Sequence, residues 1–200
     1  MFRVEGDSPD PLIIEDLSIS SRGGRAISVE HVGSRTLVLK RSQFSYRGRE
    51  GAGTVFMEDV TGGHVHIAKG QTLYARQLNM EGTEVPKLLN DGGQAWILGL
   101  KAERTAKAPV TETRNGGVTQ IWGAYVLPLT DVPADLPMFV SHDARHALMY
   151  VTTRWSKSKE HTIEVRDYVG DAATDLLKTE TPQRKAKAGG SVVMWYSNVP

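Results

Sequence analysis

The chain has 200 residues, with 24 Lys+Arg against 23 Asp+Glu, 40% hydrophobic and 24% charged side chains. That length can bury one sizeable core, the composition excludes disorder, and the near-neutral charge argues against nucleic acid as a partner. Twenty glycines and nine prolines favour turns over long helices, and the absence of cysteine excludes disulfides, zinc ribbons and thiol nucleophiles.

The chain starts MFRVEGDSPDPLIIEDL, with five acids in 16 residues and no apolar h-region of a signal peptide. No run approaches the roughly 18 apolar residues of a membrane helix, so no membrane insertion is expected. Strand-like runs then follow at Leu12–Ile19, Thr36–Arg41, Thr54–Val60, Thr72–Leu78, Ala95–Lys101, Thr119–Val126 and Ala147–Thr153. Three of them, TLVLKRSQF, TVFMEDVTG and TLYARQLNM, align closely and start 18 residues apart, at Thr36, Thr54 and Thr72. Later steps lengthen to 22, 24 and 28 residues, from Ala75 to Ile97, Ile121 and Met149. Gly-Gly turn signals recur at Thr61-Gly62-Gly63, Asn90-Asp91-Gly92-Gly93 and Asn115-Gly116-Gly117. Short apolar runs lie between, at Val65–Ala68, Val85–Leu89, Val110–Thr113 and Met138–Val140. The best helix candidate is Asp171–Lys178, two turns at most.

Strands and turns repeating every 18–28 residues without helices predict an all-β, right-handed parallel β-helix (a β-solenoid) of six or seven coils. The rival is a β-sandwich of short strands. Stacked coils place equivalent residues in ladders about 4.8 Å apart. The inward ladder is read as Leu37, Leu39, Val55, Met57, Leu73, Ala75, Ile97 and Ile121. The outward one is read as Phe56, Glu58, Tyr74, Arg76, Trp96 and Trp122. Asn90 and Asn115, each preceding Gly-Gly, are read as structural: side-chain amides in register can ladder along a solenoid, and Asn tolerates the left-handed conformation its turns require. Residues 1–153 form the coils. Residues 154–200 are a strand and loop cap of the same domain: RWSKSKEHTIEVRDY a strand or hairpin, TETPQRKAKAGG a basic loop, SVVMWYSNV a last strand. The N-terminal end shows no cap, which suggests further coils before it in a longer chain.

EGTEVPKLLNDGGQAWILGLKAERTAKAPVTETRNGGVTQIWGAYVLPL, followed by DLPMFVSHDA, resembles the C-terminal coils of bacterial pectate-lyase-superfamily right-handed parallel β-helix proteins, which are glycosyl-hydrolase-like. NDGG, WILGLK, ETRNGG and PMFV carry the match, strongest over Glu81–Asp143. The resemblance implies a polysaccharide or glycan partner, an extracellular or periplasmic location, and activity as a polysaccharide lyase or glycoside hydrolase. It transfers no catalytic residue. Gly63-His64-Val65 matches the polygalacturonase Gly-His-Gly only in part, and the Asp-Asp and Arg-x-Lys patterns are missing.

Glycoside hydrolysis needs two carboxyl groups about 5–10 Å apart. Glu58 and Asp59 are candidates, but neighbours on a strand face opposite ways, and the plainer reading of Asp59 is a turn carboxylate bonding backbone amides. His142 and Asp143 crowd the loop SHDARH, where a His-Asp pair could act as a general base. Their plainer reading is an ordinary polar loop. His64 and His66 share a strand face without an evident third ligand, so no metal site or cofactor is assigned. Arg76 should stack one rung from Glu58, either as a surface ion pair or as a uronate-binding cation. Tyr74, Trp96 and Trp122 are read as an outward aromatic stripe suited to sugar rings, unless the loop Val126–Asp135 or the C-terminal segment covers it. The first expectation is the C-terminal part of a polysaccharide-active enzyme. The alternatives are a non-catalytic carbohydrate-binding or surface-attachment solenoid, or a tailspike-like homotrimer.

Overall fold

A run that alternates apolar and polar residues has only one face to bury, and stacking similar runs buries all those faces together. The computed structural model describes residues 1–17, 28–81, 85–104, 107–153, 161–183 and 190–198. The chain begins with β1 (Phe2–Val4), β2 (Leu12–Glu15), β3 (Ser28–His31), β4 (Leu37–Gln43), β5 (Ser45–Gly48) and β6 (Val55–Gly62). It continues through β7 (Val65–Ile67), β8 (Thr72–Met80), β9 (Leu88–Asp91), β10 (Gln94–Arg104), β11 (Thr111–Arg114) and β12 (Val118–Pro128). The last strands are β13 (Phe139–His142), β14 (Arg145–Thr152), β15 (Ile163–Val169), β16 (Ala172–Leu177) and β17 (Val192–Ser197).

Odd strands β1 to β15 pair in parallel in chain order in one sheet, and even strands β2 to β14 do the same in a second. The fold is therefore all-β, with mostly parallel strands in two extended sheets and a repeat-like pairing in which each rung adds one strand to each sheet. Two antiparallel strands finish the stack: β16 on β15, and β17 on β14. The best helix candidate, Asp171–Lys178, is strand β16 followed by a single 3-10 turn, Lys178–Glu180. The sequence there, AATDLL, forms a hairpin because β15 offers it an open edge. Of the first expected run, residues 18 and 19 lie outside the described residues, as do 154–160 and 184–189 of the tail.

The core lies between the sheets. All eight expected inward residues are buried, Leu37, Leu39, Val55, Leu73, Ile97 and Ile121 completely. Their registers, Leu37↔Val55↔Leu73 and Leu39↔Met57↔Ala75↔Ile97↔Ile121, run straight through five strands. Each fully buried Leu or Ile stabilises the stack by about 1.5–3 kcal/mol.

The even strands from β2 to β12 bend at one column, within the strand or just after it. Asp16 (φ 57°), Arg41 (42°), Asp59 (52°), Gln77 (55°), Gly99 (81°) and Gly123 (82°) are left-handed there, rung after rung. The bend resets the alternation, so the next buried residue comes three positions on: Leu39 to Ser42, Met57 to Val60, Ala75 to Leu78, Ile97 to Leu100. Strand β14 lacks the extra residue, and the register shifts between Trp122 and Ala124.

Toward the C-terminal end the interior becomes polar. Asn90, Thr113, Ser141 and Asp167 are aligned inward on the odd sheet, facing Thr119 and His146. Asn90 Nδ2 donates to Val118 O and Thr119 Oγ1, and its Oδ1 accepts from Gly93 N. Asn90 pairs in register with Thr113, while Asn115 bonds Asp91 instead. The two amides thus form no ladder; Asn90 points inward from β9, and Asn115 takes the left-handed turn conformation that its residue type tolerates.

Candidate functional site

The outer face of the even sheet carries two columns separated by two residues along each strand. The first runs Ile13, Val38, Phe56, Tyr74, Trp96 and Gln120. The second runs Glu15, Lys40, Glu58, Arg76, Leu98, Trp122 and Met149. Tyr74 and Trp96 are therefore neighbours in one column, and Trp122 stands in the other. The expected single stripe of Tyr74, Trp96 and Trp122 is two columns: the partner of Trp96 one rung on is Gln120, not Trp122.

Between the columns runs an open groove of about 260 Å³, floored by Met57 and Ala75. One wall is Val38, Phe56, Tyr74 and Trp96, and the other is Glu58, Arg76 and Leu98. Phe56 and Tyr74 stack with centroids 5.3 Å apart and planes 19° from parallel, so each covers one face of the other. Tyr74, Phe56 and Trp96 remain 45%, 41% and 38% exposed. An aromatic row left this open is uncommon on the surface of a folded chain.

The charged wall is tied together. Arg76 Nη2 donates to Glu58 Oε1, one rung apart as the sequence predicts. That bond holds the Glu58 carboxyl below the usual carboxylate range. Arg41 in the same way bonds Asp16 and Glu15. These are exposed pairs and contribute little to stability. They do fix the direction of the Arg76 guanidinium.

Trp122 packs against Trp195 of β17, centroids 4.9 Å apart. The C-terminal strand thus partly covers the aromatic face at one end, while both indoles stay open to solvent, 38% and 53% exposed.

The remaining candidates are scattered. Asp59 is exposed at the left-handed bend, so it neither points inward nor joins Glu58 on the groove wall. His142 stacks face to face on Tyr168, 4.5 Å apart with planes 4° from parallel. Asp143 is left-handed, and its Oδ1 accepts from Gly170 N, 2.8 Å. His64 and His66 lie with ring centroids 6.2 Å apart. Burial pushes both imidazoles below the ordinary histidine range. Among the described residues no group of three or more His, Cys, Asp or Glu is arranged to hold a metal ion. No helix among them is long and apolar enough to cross a membrane.

Three wall residues of the groove were not read as binding residues from sequence: Phe56, placed outward but not assigned, Val38 and Leu98. Their signal is the register itself, since Ile97↔Ala75 forces Leu98 beside Arg76.

Comparison with family models, with curated proteins and with solved structures found no match for this chain. The all-β, largely parallel two-sheet repeat is what the structure supports.

Proposed function

We propose that this chain is a right-handed parallel β-solenoid of the pectate-lyase type that binds a glycan along the groove of its even sheet. The observation that supports it is the exposed row Phe56, Tyr74 and Trp96 facing the oriented Glu58–Arg76 pair across a groove parallel to the stack. Aromatic surface takes up the apolar faces and C–H groups of sugar rings, and a fixed Arg–carboxylate pair offers donors and acceptors to hydroxyl or carboxylate groups. A glycan ligand goes with an extracellular or periplasmic setting.

A binding role is favoured over lyase or hydrolase chemistry by the state of the acids. Glu58 is committed to Arg76, and Asp143 to a backbone amide. Neither is poised as a proton donor.

The test is affinity electrophoresis in gels containing polygalacturonate, alginate, xylan or a soluble glucan. At least one polymer should retard the protein. Trp96→Ala and Tyr74→Ala should each weaken that retardation about tenfold, the loss of one aromatic contact. Tyr125→Ala, one column away, should leave it unchanged. Retardation indifferent to both groove substitutions, or none on any polymer, rejects the reading. Release of reducing ends or unsaturated uronates in the same mixtures would replace it with the catalytic one.

A further inference from the structure

A second concavity lies away from the aromatic groove, where β5, β7, β9 and β11 end. It encloses about 630 Å³ and is lined by Arg49, Glu50, His66, Lys69, Asp91 and Asn115. Binding sites for small organic ligands are typically roughly 300–1,000 Å³. Four consecutive rungs contribute to it, a span of about 14 Å along the stack at the ordinary inter-strand spacing. It therefore suits an elongated ligand lying across the rungs.

Its floor is made by the smallest residues. Gly48 and Ala68 line it. At Gly48 the place a Cβ would take is already filled by the Gln71 carboxamide. Gln71 is itself anchored: its Nε2 donates to Tyr46 Oη, 2.6 Å, and to Gly53 O, 2.9 Å. Tyr46 then donates to His31 Nδ1, 2.9 Å, because His31 Nε2 donates to Arg35 O, 2.8 Å. The depression is thus held open from beneath by a buried hydrogen-bonded chain.

The charges around it are balanced and mostly spent. Arg114 Nη2 donates to Asp91 Oδ2, 2.7 Å, and Asn115 Nδ2 to Asp91 Oδ1, 2.5 Å. Arg49 Nε donates to Glu30 Oε1, 2.7 Å. Arg49 and Lys69 are offset by Glu50 and Asp91, so the lining has no net sign. A site for a phosphate or a carboxylate would leave an excess of cations, and a site for a metal would leave an excess of acids. His66 is uncharged at neutral pH, kept so by burial and then by His64 and Arg47. A neutral imidazole both donates and accepts.

We propose that this concavity is a second ligand site, for a neutral polyhydroxylated chain such as an uncharged oligosaccharide, with His66, Asp91 and Asn115 as its hydrogen-bonding groups. Donors and acceptors alternate along it, as vicinal hydroxyls require, and Asp91 and Asn115 are oriented by their mutual bond and by Arg114 before any ligand arrives. The proposal does not depend on the aromatic groove, which lies on the other sheet.

The test is an amide-shift titration of the isotope-labelled full chain with cellohexaose, maltohexaose and xylohexaose, with trigalacturonate and inorganic phosphate as anionic probes. The expected result is saturable shifts at Gly48–Glu50, His66, Lys69, Asp91 and Asn115 with a neutral hexasaccharide. His66→Ala and Asn115→Gly should each weaken that binding at least tenfold, with melting temperature unchanged. Glycine keeps the left-handed backbone of Asn115, φ 55°, so that variant folds. Trp96→Ala should leave these shifts intact, and this separates failure of one site from failure of the other. Shifts only with trigalacturonate or phosphate would overturn the proposal in favour of an anion site. Shifts confined to Phe56, Tyr74 and Trp96, or none with any neutral probe, would overturn it as well.

Discussion

Asp167→Asn changes one atom in the cluster that fastens the last strand to the stack. Asp167 Oδ1 lies 2.8 Å from His146 Nε2 and accepts from Ser141 Oγ, while Oδ2 accepts from Tyr196 of β17. Asn198, just beyond β17, adds bonds from its Nδ2 to Ser141 Oγ and Ala144 O. The carboxamide keeps one acceptor and turns the other into a donor facing a donor. Losing one hydrogen bond to a charged group and the charge beside His146, in a site 0–9% exposed, should cost about 3–4 kcal/mol. For a chain near 200 residues that is a fall in melting temperature of roughly 6–16 °C. Burial pushes the Asp167 carboxyl up, but His146, Ser141 and Tyr196 together outweigh it and hold it below the usual range. Its contribution is therefore full above the unfolded aspartate value of about 3.9 and is lost as pH falls through the lower folded value. Melting curves across acid pH, followed by the fluorescence of the Trp122–Trp195 pair, should show a steeper acid loss in the parent than in Asp167→Asn. A variant melting within about 2 °C of the parent at pH 7, or with the same acid profile, would refute this account of how β17 is held.

Gly62 faces the Phe44 carbonyl so closely that a Cβ would overlap its oxygen, backbone against backbone. Gly62→Ala should therefore cost about 3 kcal/mol or more in urea denaturation. Gly99→Ala, where the nearest atom is 3.7 Å away and only the left-handed φ of 81° is at stake, should cost about 1–2 kcal/mol. Equal losses would contradict the distinction between clash and bend. Burial pushes the Lys87 ammonium down to about 8. The unfolded chain then holds more protons than the folded one from about pH 8 up to the unfolded lysine value near 10.4, and stability rises with pH across that window. Lys87→Met should remove the rise and gain up to about 3 kcal/mol at pH 7, and urea midpoints that move in parallel with the parent's would disprove it. Asn90→Leu strands the Gly93 amide in the interior and removes one of the two donors to the Thr119 hydroxyl, which keeps Thr113, and should cost about 1–3 kcal/mol by the same measurement.

The inward ladder was legible because its residues repeat with a fixed alternation, and a slip of one would expose Leu37, Val55 and Leu73 together. The bend was written in the same runs, though less plainly. Val55-x-Met57-x-x-Val60 and Leu73-x-Ala75-x-x-Leu78 both step by three after two apolar positions, which an unbroken strand cannot bury. What propensity could not supply was the conformation of Arg41 and Gln77, since neither is a residue type that seeks φ above zero, whereas Asp16 and Asp59 in the same column are of a type that tolerates it. Neighbouring rungs impose it. The strand at Ala172–Leu177, in the best helix candidate, has the same origin: tertiary pairing with β15 overrides a weak local preference.

The aromatic site was half legible for a reason that bears on its function. Trp96 and Trp122 both precede a Gly-containing stretch and look equivalent, yet Ile97↔Ile121 is the true register and sets them two residues apart. The consequence is a groove with unlike ends. Its charged wall is Lys40, Glu58 and Arg76 on the early rungs, and Leu98 followed by Trp122 on the later ones. A symmetric aromatic stripe would let a polymer bind in either direction. Here one end offers a guanidinium and carboxylate and the other only apolar surface, so on the proposed binding role a glycan would place its more polar substituents over Glu58 and Arg76 and its ring faces toward Trp96 and Leu98. Arg76→Leu extends the apolar wall by one rung. It should weaken binding of an acidic glycan more than of a neutral one, by about tenfold in the ratio, the size of one exchanged charged hydrogen bond. Equal weakening on both polymers would mean that the wall contributes shape alone.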